Sequence, residues 1–113
     1  MKKIFKDTKN SEIELVFTNG DQLKLCVDFD AVCRLEQNMG KSVYEIFKSG
    51  ILKVEDQITI LTICSLSGSK IEKEEAKRLI RNEHKNGGMA SIAEIFAQIA
   101  VMAMGGPESP PLV

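Results

Sequence analysis

The chain has no tryptophan, one tyrosine (Tyr44) and one histidine (His84). Aromatics make up 5% of its 113 residues, too few for a platform on which nucleic-acid bases stack. A single imidazole leaves most His-dependent triads and most zinc sites short of parts. Neither sign of charge is in excess: 15 Lys+Arg against 16 Asp+Glu gives a formal net charge of −1. That lacks the electrostatic footprint of a general nucleic-acid binder. There is no Cys-x-x-Cys, and Cys26, Cys33 and Cys64 cannot all pair within one chain. An odd cysteine count in a small domain of ordinary composition predicts reduced thiols and a cytoplasmic setting. Met1-Lys2-Lys3-Ile4-Phe5 runs at once into Lys6-Asp7, so no apolar export signal is expected. The one long apolar stretch, residues 89–104, is shorter than a membrane span and carries Glu94 and Gln98. No membrane partner is expected.

Catalytic constellations are missing as well. Cys64-Ser65-Leu66-Ser67-Gly68 lacks the first glycine of a G-x-S-x-G elbow. His84 lies in the most polar helical segment and reads as a surface residue. The cysteines and His84 match no common zinc spacing, and lone cysteines are by default small buried hydrophobes. Asp28, Asp30 and Glu36 do not have the alternation of a calcium loop. Gly87-Gly88 has no partner Gly or Lys for a phosphate cradle and reads as an interhelical hinge. These absences predict no enzyme, no metal and no cofactor.

What is present is one domain of α+β class, residues 1–106, an N-terminal β-hairpin packed on a bundle of four to five α-helices. The Pro-rich segment 107–113 is expected to be a disordered tail. Ile13, Leu15 and Phe17 alternate with polar or small residues, as do Leu23, Leu25 and Val27 beyond Asn19-Gly20. A two-residue loop would set Phe17 opposite Gln22 and mix the faces. A three-residue loop, Thr18-Asn19-Gly20, sets Leu15 opposite Leu23 and Ile13 opposite Leu25, with Gly20 in the left-handed position of a G1 bulge. Asp28 caps a helix with apolar Phe29, Val32, Leu35 and Met39, stopped by Gly40. Ser42-x-x-Glu45 has the pattern of a capping box and opens a short helix ending at Gly50. Residues 54–66 are rich in β-branched side chains. Their acidic start, length and Gly68 stop favour a central buried helix over a strand. A polar outer helix follows over residues 72–84, with Glu74 and Arg78 spaced as an i,i+4 pair. Its Lys/Arg residues alternate with Glu, as on a solvated face, which disfavours a helix-turn-helix reader of DNA.

The closing helix, residues 89–104, carries Met89, Ile92, Ile95, Phe96, Ile99 and Met102 as a core stripe. Its other side does not turn polar: it carries Ala90, Ala93, Ala97, Ala100, Val101, Ala103 and Met104. No Lys or Arg follows Lys85. A domain this small cannot bury two helices on every side, so Ala93, Ala97, Ala100, Val101 and Met104 are the candidate partner-binding residues. A homo-oligomer is one way to cover them.

The order of elements carries a resemblance. A Leu-rich hairpin leads into Leu35-Glu36, Gly40 and Ser42, then an apolar helix, then Gly68 before an acidic helix with Glu75-Ala76, then an Ala-rich close. Over about residues 12–104 this resembles the small tail-assembly chaperones of long-tailed phages and gene transfer agents. The β-branched third helix departs from the Ala/Leu-rich form expected of that group. The resemblance implies a non-enzymatic factor of tail morphogenesis, active in the host cytoplasm, that uses no nucleotide. Its implied partners are the helical tape-measure protein and/or the tail-tube protein, and it leaves before the tail is complete. Some members of the group are also made in a frameshifted, extended form. The other readings are a structural tail protein retained in the particle and a small helix-turn-helix regulator. A regulator would require nucleic-acid binding, which the charge balance does not favour.

Overall fold

In a computed structural model, residues 3–48, 50 and 52–105 are described. The expected tail, 107–113, lies outside them. Three antiparallel strands, β1 (Lys3–Asp7), β2 (Glu12–Val16) and β3 (Gln22–Cys26), form a sheet in the order β1-β2-β3. Helices α1 (Phe29–Met39), α2 (Val43–Phe47), α3 (Val54–Cys64) and α4 (Lys73–Ala103) follow, with a 3₁₀ turn at Ser67–Ser69 between the last two. The class is α+β.

The expected hairpin is the β2–β3 pair. Leu15 faces Leu23 and Ile13 faces Leu25, the register of the three-residue loop. Phe17 N donates to Asp21 O at 2.8 Å, and Gly20 takes φ 96° inside the loop. The N-terminal sheet is nevertheless three-stranded and not a hairpin. β1 pairs with β2, Ile4 opposite Leu15 and Lys6 opposite Ile13. Only Ile4 of β1 packs against the core, so this edge strand lacks the apolar alternation that marks β2 and β3. Lys3 and Lys6 give it the charged character of a strand that ends a sheet.

Asp28 accepts a hydrogen bond from Ala31 N at 2.9 Å, and Gly40, at φ 68°, closes α1. The buried positions of α1 are Ala31 and Leu35, with Met39 packed against the core. Phe29 is not a core residue: it is 80% exposed. Side chains at the first helical position lean back over the N-terminal turn, outside the stripe that runs through Ala31 and Leu35. α2 starts under two caps. Ser42 Oγ accepts from Glu45 N at 3.2 Å, and Glu36 Oε2, reaching from α1, accepts from Val43 N at 2.8 Å.

α3 is the central helix and packs on α1, α4 and β3. Burial of Ile58, Ile60, Leu61 and Cys64 overrides the weak helix propensity of its β-branched residues, and Thr59 and Thr62 return their hydroxyls to Glu55 O and Ile58 O. Lys70 Nζ lies 2.9 Å from Ile63 O, placing a cation on the carbonyl end of the helix.

α4 is two helical halves joined at a kink at Gly88, where the interhelical hinge was expected. There φ is 76° and ψ is −176°, a conformation that glycine alone enters freely. Its first half has a solvated outer side, with Lys73, Glu74, Lys77, Arg81, His84 and Lys85 exposed, and a buried side that includes a charge. Ala76, Leu79, Ile80 and Glu83 are buried. Thr18 in the β2–β3 loop donates its backbone N–H to Glu83 Oε1 at 2.9 Å and its hydroxyl to Oε2 at 2.8 Å. The Ser91 hydroxyl, from beyond the kink, also donates to Oε2. A Cβ on Gly87 would press on the Glu83 carboxylate and stand 2.8 Å from Ser91 Cβ, so glycine is needed there for space. Arg78 does not pair with Glu74. It pairs with Glu75 at 2.7 Å and with Asp21 of the β2–β3 loop at 3.1 Å. The Asp21 contact draws the guanidinium to the sheet side, where Glu75 lies and Glu74 does not.

Burial pushes the pKa of Glu83 up, but hydrogen bonds to the charged form, those from Ser91 and Thr18 among them, outweigh it. The carboxyl is pulled down from 4.5 to about 2. The folded state therefore binds this proton more weakly than the unfolded state. The stability that follows is complete above the unfolded value and is lost as pH falls through the folded one. Glu83→Gln should cost about 1–3 kcal/mol at neutral pH, as expected for charge-assisted hydrogen bonds, and should flatten the loss of stability below pH 4.5. Urea melts from neutral to acid pH would show both. Gly88→Ala meets open space, so its cost is backbone strain, about 1–3 kcal/mol by the same melts. An unchanged midpoint would mean that the kink is not a strained element.

Candidate partner-binding surface

Beyond Gly88, α4 has one buried side: Ser91, Ile92, Ile95, Phe96, Ile99 and Met102. Met89 was expected in this stripe, but it is 68% exposed. The kink explains it: Met89 is the first residue after the break, turned out of the stripe that begins at Ser91. Of the candidate partner residues, Ala93, Ala97, Val101 and Met104 are exposed and Ala100 is half-buried against the core. With Met89 they make an apolar strip down the outward side of the helix. Glu94 and Gln98 lie to one side of it, and Gln98 accepts a hydrogen bond from Lys6 of β1 at 2.8 Å.

The strip is one wall of a groove. Three connected depressions follow α4 from Lys77 to Ala100. The first holds about 370 Å³ and has an apolar floor of Leu52, Val54, Ile80 and Met89, with Lys77, Arg81 and His84 around it. The second, about 310 Å³, passes Gly50, Leu52, Ala93 and Phe96. The third, about 250 Å³, ends between Phe47 and the Ala97–Ala100 turn. The far wall is thus the end of α2 and the connection into α3. Val101 lines none of these depressions. Met104 instead lines a separate hollow of about 730 Å³ with Phe29, Val32 and Val43. Of the five candidate residues, Ala93, Ala97 and Ala100 line the groove, Met104 lines the hollow and Val101 lies on the surface between.

Sequence reasoning missed the far wall and the basic rim. The charges of residues 73–85 look evenly mixed in the chain. In space Glu75 is held by Arg78, and Glu83 points inward. Lys77 and Arg81 are left beside the groove with no ion pair among the described residues.

Neither Cys26 nor Cys64 is activated. Burial pushes Cys64 up to about 12 and, less strongly, raises Cys26. Among the described residues no three His, Cys, Asp or Glu side chains converge on a possible metal position, and no helix is long and apolar enough to cross a membrane. Comparison with protein-family models, curated proteins and solved structures finds no match.

Two substitutions separate the sides of this helix. Ile95→Ala opens a cavity in the core and should cost about 2–5 kcal/mol. Ala97→Glu lies on the open side and should leave stability within about 0.5 kcal/mol. Thermal melts decide it: an unfolded Ala97→Glu domain would make that side core.

Proposed function

We propose that this protein is a non-enzymatic assembly chaperone of phage or gene-transfer-agent tail morphogenesis. It acts in the host cytoplasm on the tape-measure protein and/or the tail-tube protein. The observation that carries the reading is the apolar strip of α4, which the rest of the described chain leaves uncovered. Exposed apolar surface of this kind is a partner site. Methionine at its ends suits it to partners of varied shape. A holdase needs adaptable surface, modest affinity per site and no cofactor, and it needs no reactive group. The resemblance of Leu35-Glu36, Gly40 and Ser42 adds a structural sense: Glu36 and Ser42 are the two caps that start α2. The strands, five residues each, are short for a subunit that closes a tail-tube ring by strand pairing.

The test is where the protein goes. It should co-purify with the tape-measure or tube protein from cells assembling tails and be absent from finished particles. Stoichiometric recovery in purified particles would make it a structural tail protein.

A further inference from the structure

The groove has a polarity in charge that the strip alone does not. At its first end the apolar floor is bordered by Lys77, Arg81 and His84, with Lys73 one turn earlier on the same face. Two of the nearby acids are engaged elsewhere, Glu75 on Arg78 and Glu83 on Thr18 and Ser91, and Glu74, exposed one turn before Lys77, is the acid left on this face. At the other end, between Ala93 and Ala100, no cation lines the groove, and the chain carries no Lys or Arg after Lys85. The exposed charge on that half of α4 is Glu94.

We infer that this groove receives an amphipathic helix of another protein whose acidic residues cluster at the end lying over Lys77 and Arg81. Beyond the kink at Gly88, Met89 to Ala100 is about 16 Å of helix at 1.5 Å per residue, room for about three turns of a partner helix, with Lys77 and Arg81 on the other side of the kink. Ala93, Ala97 and Ala100 recur at i, i+4 and i+7, and their small side chains admit the close axial approach of a second helix. Large apolar anchors of the partner then enter the depressions against Leu52, Val54 and Phe96, the helix-in-groove mode of recognition. The basic rim supplies complementarity and direction: the reverse orientation would set the partner's acids along Ala93–Ala100, where no described Lys or Arg lines the groove. A nucleic acid would use the rim but leave the apolar floor unfilled. A second copy of this chain would bring only Glu94 from the exposed half of its own α4. The inference rests on the proposed function only in taking the partner to be another protein, and it adds that partner's chemistry.

The probe is a fluorescein-labelled synthetic helix of about 18 residues with Leu at i, i+3, i+4 and i+7 and Glu clustered in its first turns. Its control carries Lys in place of Glu. The Glu peptide should bind the full chain at least about tenfold more tightly than the Lys peptide and should weaken as salt rises. Lys77→Glu/Arg81→Glu should reverse that preference, and Ala97→Glu should weaken both peptides, with melts confirming that the variants are folded. Equal affinity for the two peptides, no binding of either, or indifference to the charge reversal overturns the inference. So does displacement of the Glu peptide by duplex DNA at lower concentration than by unlabelled peptide, or a concentration-dependent dimer that the Ala97→Glu change abolishes while peptide binding persists. If the peptides fail and co-purification with tail proteins persists, the groove inference falls and the chaperone reading stands. If the charge-dependent binding holds and the protein stays in finished particles, the chaperone reading falls and the groove remains.

Discussion

A single buried carboxylate sets the geometry on which the surface depends. Glu83 takes donors from the β2–β3 loop on one side and from Ser91, beyond the kink, on the other. An ionised group with so little access to water is tolerable only when its oxygens are hydrogen-bonded. Satisfying them imposes constraints in three places. The loop must present Thr18, Gly87 must lack a side chain, and the chain must turn at Gly88 so that Ser91 comes back over Glu83. The second half of α4 therefore leaves the kink at an angle that this contact selects. Which residues of that half face the core, and which face out, follows from it.

The hairpin register was legible because two independent requirements agreed: both apolar faces had to coincide, and a glycine stood at the left-handed position. β1 was not legible. Its pairing with β2 is made by backbone groups, while its side chains, apart from Ile4, contribute little to the core. Hydrophobic period is a record of burial, so an edge strand that buries little leaves little record. Phe29 shows the reverse failure: an apolar residue at a plausible helical spacing was read as core, but its place at the first turn sets it outside the buried stripe.

In the first half of α4 the solvated side and the three apolar residues were legible, and the buried charge was not. Its buried positions are Ala76, Leu79, Ile80 and Glu83, a regular i, i+3, i+4, i+7 stripe whose last member is charged. A signal was available in the residues that follow. Gly87 and Ser91 stand four and eight residues after Glu83, on its side of the helix, one leaving room and one donating a hydrogen bond. An acidic residue in a core register followed by glycine and serine at those spacings has the makings of a satisfied buried carboxylate. The same buried charge hid the basic rim, because drawing Glu83 inward leaves Lys77 and Arg81 beside the groove.

The candidate surface has a thermodynamic character of its own. An alanine methyl contributes little area, and about 25 cal/mol per Å² of apolar burial gives each of Ala93, Ala97 and Ala100 only a small share in any complex. Their contribution is proximity: they allow a partner's larger side chains to reach Leu52, Val54 and Phe96. On the groove reading, affinity would be set mainly by what the partner brings, with this chain supplying the shape and, through Lys77 and Arg81, the orientation. Rim charges of that kind alter the rate and direction of encounter more than the lifetime of the complex. On the proposed reading, such a surface would engage readily and let go readily, as a factor that holds an apolar helix for a time and then yields it to a final assembly would need to.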